Sequence, residues 1–241
     1  MASAEFQTLL AVQDHDTAID RLVHRRETLP ERATRLELLE RGQKRAAERD
    51  EVAVRRDEVV GRQTGLETEL ETSEARITQV DKRLYSGEVS ASRDLQAMAE
   101  EIERLKEYCS KLEDRVLATM DERQPLDDQV AALEAELHAI ADEVAAVDAA
   151  IRAHEAEIDA ELATERAARE DLAAGIPEAL LARYSQIRTK LGGIGAAPLN
   201  GHSCGGCHLV LPATEVDRIR HEPPDALILC DQCGRILVRQ S

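Results

Sequence analysis

Residues 95–161 read LQAMAEEIERLKEYCSKLEDRVLATMDERQPLDDQVAALEAELHAIADEVAAVDAAIRAHEAEIDAE. Steps of alternately three and four residues from Leu95 meet Met98, Ile102, Leu105, Cys109, Leu112, Val116, Thr119, Arg123, Leu126, Val130, Leu133, Leu137, Ile140, Val144, Val147, Ile151, His154, Ile158 and Glu161. Sixteen of these twenty positions are apolar, in a stretch with no glycine. A strict 3,4 repeat holds one stripe against a partner helix and imposes a left-handed supercoil. The stretch therefore predicts one long helix of a coiled coil.

Working back toward the N-terminus, a second stripe supplies the partner. Val52, Val59, Leu66, Ser73 and Val80 form one heptad position, and Arg56, Gln63, Leu70, Ile77 and Leu84 form the other. This seam is apolar from Leu66 to Leu84 and ragged before it. Between the stripes lies Tyr85-Ser86-Gly87-Glu88-Val89-Ser90-Ala91-Ser92. Gly87 accepts the left-handed conformation that ends a helix. A short connection makes two long helices antiparallel neighbours. The expected fold class is mainly α, a long antiparallel coiled-coil hairpin over 1–176 with its tip near 85–92. Pro30 predicts a break and a separate helix near 3–29, and Pro125 predicts a kink or break in the return limb. Cys109, flanked on the seam by Leu105 and Leu112, reads as a packed small hydrophobe, and His154 as a polar notch that fixes register.

Beyond the hairpin the composition changes. Gly175 closes the register and Pro177 opens PEALLARYSQIRTKL, a short amphipathic helix. GGIGAAPLNG, 192–201, reads as a flexible linker, so 177–200 is expected to be a bridging helix and linker. The segment 201–241 holds Cys204-Gly-Gly-Cys207 and Cys230-Asp-Gln-Cys233. Two C-x-x-C turns at this separation are the pattern of a four-thiolate zinc site. Four sulfurs fill a tetrahedron, which makes one Zn²⁺ structural and leaves no coordination position for a substrate. The apolar runs His208–Leu211, Ala226–Leu229 and Arg235–Val238 are expected to form a small antiparallel sheet between the knuckles. His208 and His202 read as neighbours of the site, not ligands. A c-type haem reading of Cys204-Gly-Gly-Cys207-His208 leaves Cys230 and Cys233 without a purpose.

Charge limits the function classes. The chain of 241 residues carries a net −17. Residues 1–200 hold 27 basic and 43 acidic side chains (−16), and 201–241 hold 4 and 5 (−1). An acidic body does not collect polyanions, because phosphate binding runs on Lys and Arg. Nucleic acid would have to meet the ribbon locally, and the candidate contacts are Arg218, Arg220, Arg235 and Arg239. The N-terminal MASAEFQTLLAVQDHD lacks the basic run and apolar core of a signal peptide, and no stretch has the length of a membrane helix. The expectation is a cytoplasmic protein with reduced thiols and no membrane partner. No phosphate loop or nucleophile–base pair stands out, so neither an enzyme nor a small-molecule substrate is expected.

The chain resembles the bacterial C4-type zinc ribbon proteins that carry a long N-terminal coiled-coil hairpin. The resemblance is carried by Tyr85-Ser86-Gly87 followed by Asp94-Leu95-Gln96-Ala97-Met98, by Pro177, Leu180, Leu181 and Tyr184, and by the cysteine pairs with Leu211-Pro212 and Gly234-Arg-Ile-Leu237. It implies a non-enzymatic adaptor or regulator, with a protein partner in transcription or secretion machinery. Tyr85, Ser86, Gly87, Glu88 and Asp94 are the candidate partner-binding tip. Nucleic-acid binding through the ribbon, RNA or DNA, is the alternative.

Overall fold

The computed structural model describes residues 3–240. The order is α1 (Ala4–Glu27), α2 (Glu31–Tyr85), α3 (Ser92–Ala173), α4 (Glu178–Lys190), β1 (Ala196–Asn200), β2 (Ser203–Cys204), α5 (Ala213–His221) and β3 (Ile236–Arg239). The chain divides into two units, Thr34–Val147 and Met1–Ala33 with Asp148–Ser241.

Thr34–Val147 is the hairpin with its tip. Every 3,4 position from Leu95 to Val147 is buried or half-buried, and so is every heptad position of α2 from Val52 to Leu84. The ragged part of α2 keeps the same register, with Leu38 buried and Gly42, Arg45 and Arg49 half-buried. One flank of the seam is laced by ion pairs between the limbs: Arg41–Glu143 at 2.8 Å, Arg62–Glu122 at 2.6 Å and Arg76–Glu101 at 2.8 Å. Exposed pairs of this kind contribute little each, about 0–1 kcal/mol, but they favour one antiparallel register over its neighbours. The polar seam residues Thr119 and Arg123 are accommodated locally. Arg123 donates to Gln63 Oε1 at 3.2 Å and to Asp127 at 3.0 Å, while the Thr119 hydroxyl donates to the Val116 carbonyl.

Pro125 does not break the return limb: α3 runs continuously from Ser92 to Ala173 with the proline inside it. The missing N–H and the ring clash cost about 3 kcal/mol, which the buried Leu112 and Val130 on either side outweigh. Pro125→Ala should therefore raise the stability of the hairpin by up to about 3 kcal/mol, read as a higher denaturant midpoint at unchanged helix content. No gain would mean that the helix has already relaxed around the ring.

In the other unit α1 stops at Glu27 and α2 starts at Glu31, with Pro30 between them. α1 lies along the end of α3, tied by Arg26–Asp159 at 2.9 Å and by His15–Glu165 at 2.6 Å. The seam of α3 changes step here. Glu161, next in the 3,4 series, is exposed, and Leu162 is buried instead. Ile151, Ile158 and Leu162 span an 11-residue repeat, whose 3.67 residues per turn relaxes the left-handed supercoil.

The sheet departs from the expected one. Its order is β2-β1-β3, with β1 antiparallel to β2 and parallel to β3. The supposed linker thus supplies the central strand: Ala196, Ala197 and Leu199 are buried. Of the three expected runs only Arg235–Val238 becomes a strand, displaced by one residue to Ile236–Arg239, and the other two make single bridges, Ser203↔Val210 and Leu229↔Ile236. A parallel β1–β3 pair requires a long crossover, and both knuckles and α5 are that crossover. α5 was not expected; Val216 and Ile219, three residues apart, are its buried side. Alternating side chains give the sheet two apolar faces. Ala196, Ile236 and Val238 pack with Phe6, Leu9 and Val12 of α1 and with Tyr184 and Ile187 of α4. Ala197, Leu199 and Leu237 pack with Leu211, Val216, Ile219 and the cysteines. The ribbon is therefore built into the base formed by α1 and α4.

Candidate metal centre

The two knuckles repeat one backbone design. The His208 amide donates to the Cys204 carbonyl at 2.8 Å, and the Gly234 amide to the Cys230 carbonyl at 2.7 Å. The Cys204 amide donates to Leu209 O and the Cys230 amide to Arg235 O. In each knuckle the residue after the second cysteine has positive φ, 61° at His208 and 74° at Gly234. His208 thus occupies a turn position where glycine costs least, which corrects its reading as a strand residue. His208→Gly should be neutral to stabilising by about 1 kcal/mol in the zinc-loaded protein, and a zinc affinity lowered ten-fold would show that the imidazole contributes to the site after all.

Gly205 and Gly206 let the first knuckle approach β1. A Cβ at Gly206 would stand 2.6 Å from Arg235 Cδ and 3.0 Å from Ala197 Cβ, and one at Gly205 would stand 3.0 Å from the Pro198 carbonyl oxygen. The close approach turns amides inward. Gly205 donates to Pro198 O at 2.8 Å, and Gly206 donates to Cys204 Sγ at 3.4 Å.

The knuckles bring Cys204, Cys207, Cys230 and Cys233 together, with all four sulfurs within 4.8 Å of one another. Cys204 Sγ and Cys233 Sγ are 3.9 Å apart. Tetrahedral Zn–S bonds of about 2.3 Å place sulfurs about 3.8 Å apart, so the cluster fits one Zn²⁺ with four thiolates. Its polarity suits a bound cation. Burial pushes the Cys204 thiol up and the Cys230 thiol up to about 12. Burial also acts on Cys233, but the Arg235 amide and guanidinium override it and hold this thiol down at about 7. Zinc would keep all four deprotonated and close the two turns on each other.

The four arginines offered as nucleic-acid contacts fare differently. Arg239 is 7 % exposed and donates to the carbonyls of Ile219, Glu222 and Pro223, capping the C-terminus of α5. Arg235 donates to Ile194 O and Leu191 O. Both are corrected to structural roles, because each guanidinium is spent on backbone carbonyls of its own unit. Arg218 is held between Glu215 and Glu222. Arg220 alone of the four is exposed with no such tie. At the hairpin tip, Gly87 takes φ 77°, and the Glu88 amide donates to Ser86 Oγ at 3.2 Å. Tyr85 projects from this turn with 80 % of its surface exposed, and Glu88 and Asp94 are exposed beside it in sequence.

Comparison with known proteins gives the same two parts. Residues 12–192 match the CT398-like coiled coil hairpin domain, and 203–237 match the C4-type zinc ribbon domain. An uncharacterized protein of Mycobacterium tuberculosis is 28% identical over 238 residues, which cover 98% of this chain and 96% of that one. A solved Mycobacterium smegmatis structure is 25% identical and aligns over 99% of both chains with a TM-score of 0.71. CT398 of Chlamydia trachomatis, at 19% identity over 98% of both chains and a TM-score of 0.66, shares the fold.

Proposed function

We propose that this chain, which belongs to the family joining the CT398-like coiled coil hairpin to a C4-type zinc ribbon, is a non-enzymatic adaptor that binds a protein partner through its hairpin tip and ribbon. The observation that carries this reading is Tyr85, a large amphipathic side chain 80 % exposed at the last residue of α2, where the tip turn begins. Exposed aromatics of this kind are the commonest anchors of protein interfaces. One flank of the hairpin is occupied by its own ion pairs, whereas Tyr85 at the tip is exposed. A closed four-thiolate site supports a structural metal, not a reactive one. Reduced thiolates suit the cytoplasm, and no helix among the described residues is long and apolar enough to cross a membrane. The partner belongs to regulatory machinery, of which transcription and secretion complexes are the first to test.

Nucleic acid is the weaker reading. Each phosphate contact requires a free cation, and Arg235 and Arg239 are engaged with backbone oxygens. The test of the tip is affinity capture from the native organism with the parent chain and with Tyr85→Ala combined with Glu88→Ala. Both residues are exposed, so stability should move by less than about 0.5 kcal/mol while the captured partner is lost. An unchanged partner set rejects the tip; retention on RNA that falls steeply with salt would restore the nucleic-acid reading.

A further inference from the structure

We propose that the outer side of α4 is a docking groove for an amphipathic helical segment of a partner protein, apolar toward one end and acidic toward the other. This rests on the protein-partner reading above and gives it a second surface.

The inner side of α4 is spent on the base, where Tyr184 and Ile187 are buried. Its outer side borders two cavities that share Arg183. One, of about 220 Å³, lies against the second knuckle and is lined by the polar Arg183, Gln186 and Lys190 together with Ile187, Leu191, Cys233 and Gly234. The other, of about 270 Å³, is lined by Phe6, Leu180, Arg183, Leu227, Glu5 and Asp225. Arg183 and Lys190 are two helical turns apart, about 10 Å along one side of α4. Neither pairs with a carboxylate among the described residues, and the cavity that holds both contains no Asp or Glu, although Cys233 of the metal site borders it. Leu227 is left 46 % exposed.

The groove is therefore polarised: cations at the knuckle end, and at the other end an apolar cavity whose walls also carry two carboxylates. Charge complementarity selects the occupant. A phosphate backbone is anionic throughout, would meet Glu5 and Asp225, and has nothing to place on Leu180 and Leu227. A helical segment with Leu, Phe or Met near one end and Asp or Glu about two turns away satisfies both ends at once and can lie in only one direction. The span from Leu180 to Lys190 is about 15 Å, so a partner helix of about three turns suffices.

The test begins with a helix-biased random peptide library panned against the zinc-loaded full chain. Enriched peptides are labelled with fluorescein and titrated by anisotropy against the parent, Arg183→Glu with Lys190→Glu, Leu227→Ser, and the tip variant. All substituted side chains are exposed, so zinc content and melting temperature serve as fold checks. The enriched sequences should pair a large apolar residue with acids about two turns away. Either groove variant should weaken binding about 10-fold or more, the tip variant should change it by less than about 2-fold, and a single-stranded RNA of matched charge should not compete. No enrichment, binding indifferent to both groove variants, or displacement by RNA overturns the proposal. Partner capture lost in the tip variant but peptide binding unmoved by the groove variants would reject this groove and leave the tip standing.

Discussion

Chelation of the zinc, or Cys204→Ser, is expected to unfold residues 196–240 and to strip protection from the first three turns of α1, while Thr34–Val147 keeps its helices. The reason lies in how the sheet is shared. One face of β1 and β3 is covered by α5 and the knuckles, around Leu199, Leu211, Val216, Ile219 and Leu237. A segment of this size buries too little apolar surface to fold alone, and zinc in small domains of this type contributes on the order of 10 kcal/mol. Without the ion the buried Cys204 and Cys230 return to neutral thiols, and nothing draws the two knuckles together. The opposite face of the same strands is the floor on which Phe6, Leu9 and Val12 are buried. Losing it exposes three side chains worth about 1.5–3 kcal/mol each. Two hydrogen bonds go with it, Gln7 Nε2 to Arg239 O at 3.0 Å and the Ser3 amide to Pro224 O at 2.9 Å. Hydrogen exchange read peptide by peptide checks this, since far-ultraviolet circular dichroism is dominated by α2 and α3 and would barely move. Because protons compete with the metal for the four sulfurs, loss should come at lower chelator concentration as the pH falls. Protection of α1 that survives complete zinc removal would mean that the base folds without its ribbon.

The hairpin and the metal ligands were legible in the sequence, while the parts that join them were not. A period of 3.5 repeated from Leu95 to Ile158 is a long-range signal that no local preference can imitate. The cysteine spacing is likewise set by the covalent reach of a tetrahedral ion. By contrast, Ala196-Ala-Pro-Leu-Asn200 has the composition of a linker. It is a strand because small residues allow the knuckle to approach, through Gly205 and Gly206, and because β3 arrives some forty residues later. α5 had a signal: Pro212 before it, Val216 and Ile219 on one side, and Glu215 paired with Arg218, all in a helix of nine residues. Arginine count could not distinguish a cation facing solvent from Arg239, which is buried and donates to three carbonyls. Gln13 and Asp16 were also readable in principle. They continue the series Phe6, Leu9 in 3,4 steps, so two polar residues sit where a seam calls for apolar ones.

Those two residues predict a specific ordering of losses: Gln13→Leu should destabilise the base by about 4 kcal/mol, and Tyr184→Phe by only about 1–2 kcal/mol. Gln13 Oε1 accepts from the Gly195 amide at 2.7 Å and from the Ala196 amide at 3.3 Å and lies 3.1 Å from the Tyr184 hydroxyl oxygen, while its Nε2 donates to Gly193 O at 3.0 Å. One side chain of α1 thus satisfies the backbone of the turn that launches β1. Leucine fits the volume but leaves buried amides and a carbonyl with no partner, each costing about 1–3 kcal/mol. Tyr184 is fully buried, and its hydroxyl donates to Asp16 Oδ2 at 2.7 Å. Burial, and then the Asp16 carboxylate, push its ionisation far above the ordinary range, so it remains a donor at any working pH. Phenylalanine removes that donor, yet Asp16 keeps Arg169 at 3.1 Å and Arg188 at 3.6 Å, so no charge is stranded. The ring must stay for a further reason: Gly195 passes so close that a Cβ there would stand 2.8 Å from Tyr184 Cδ2. Denaturant titration of the zinc-loaded protein measures the two losses, and exchange at the Gly195 and Ala196 amides reports the mechanism, rising in Gln13→Leu and holding in Tyr184→Phe. If the phenylalanine variant proves the weaker of the two, the Tyr184–Asp16 bond, not the Gln13 clasp on the backbone, secures the sheet to its helical base.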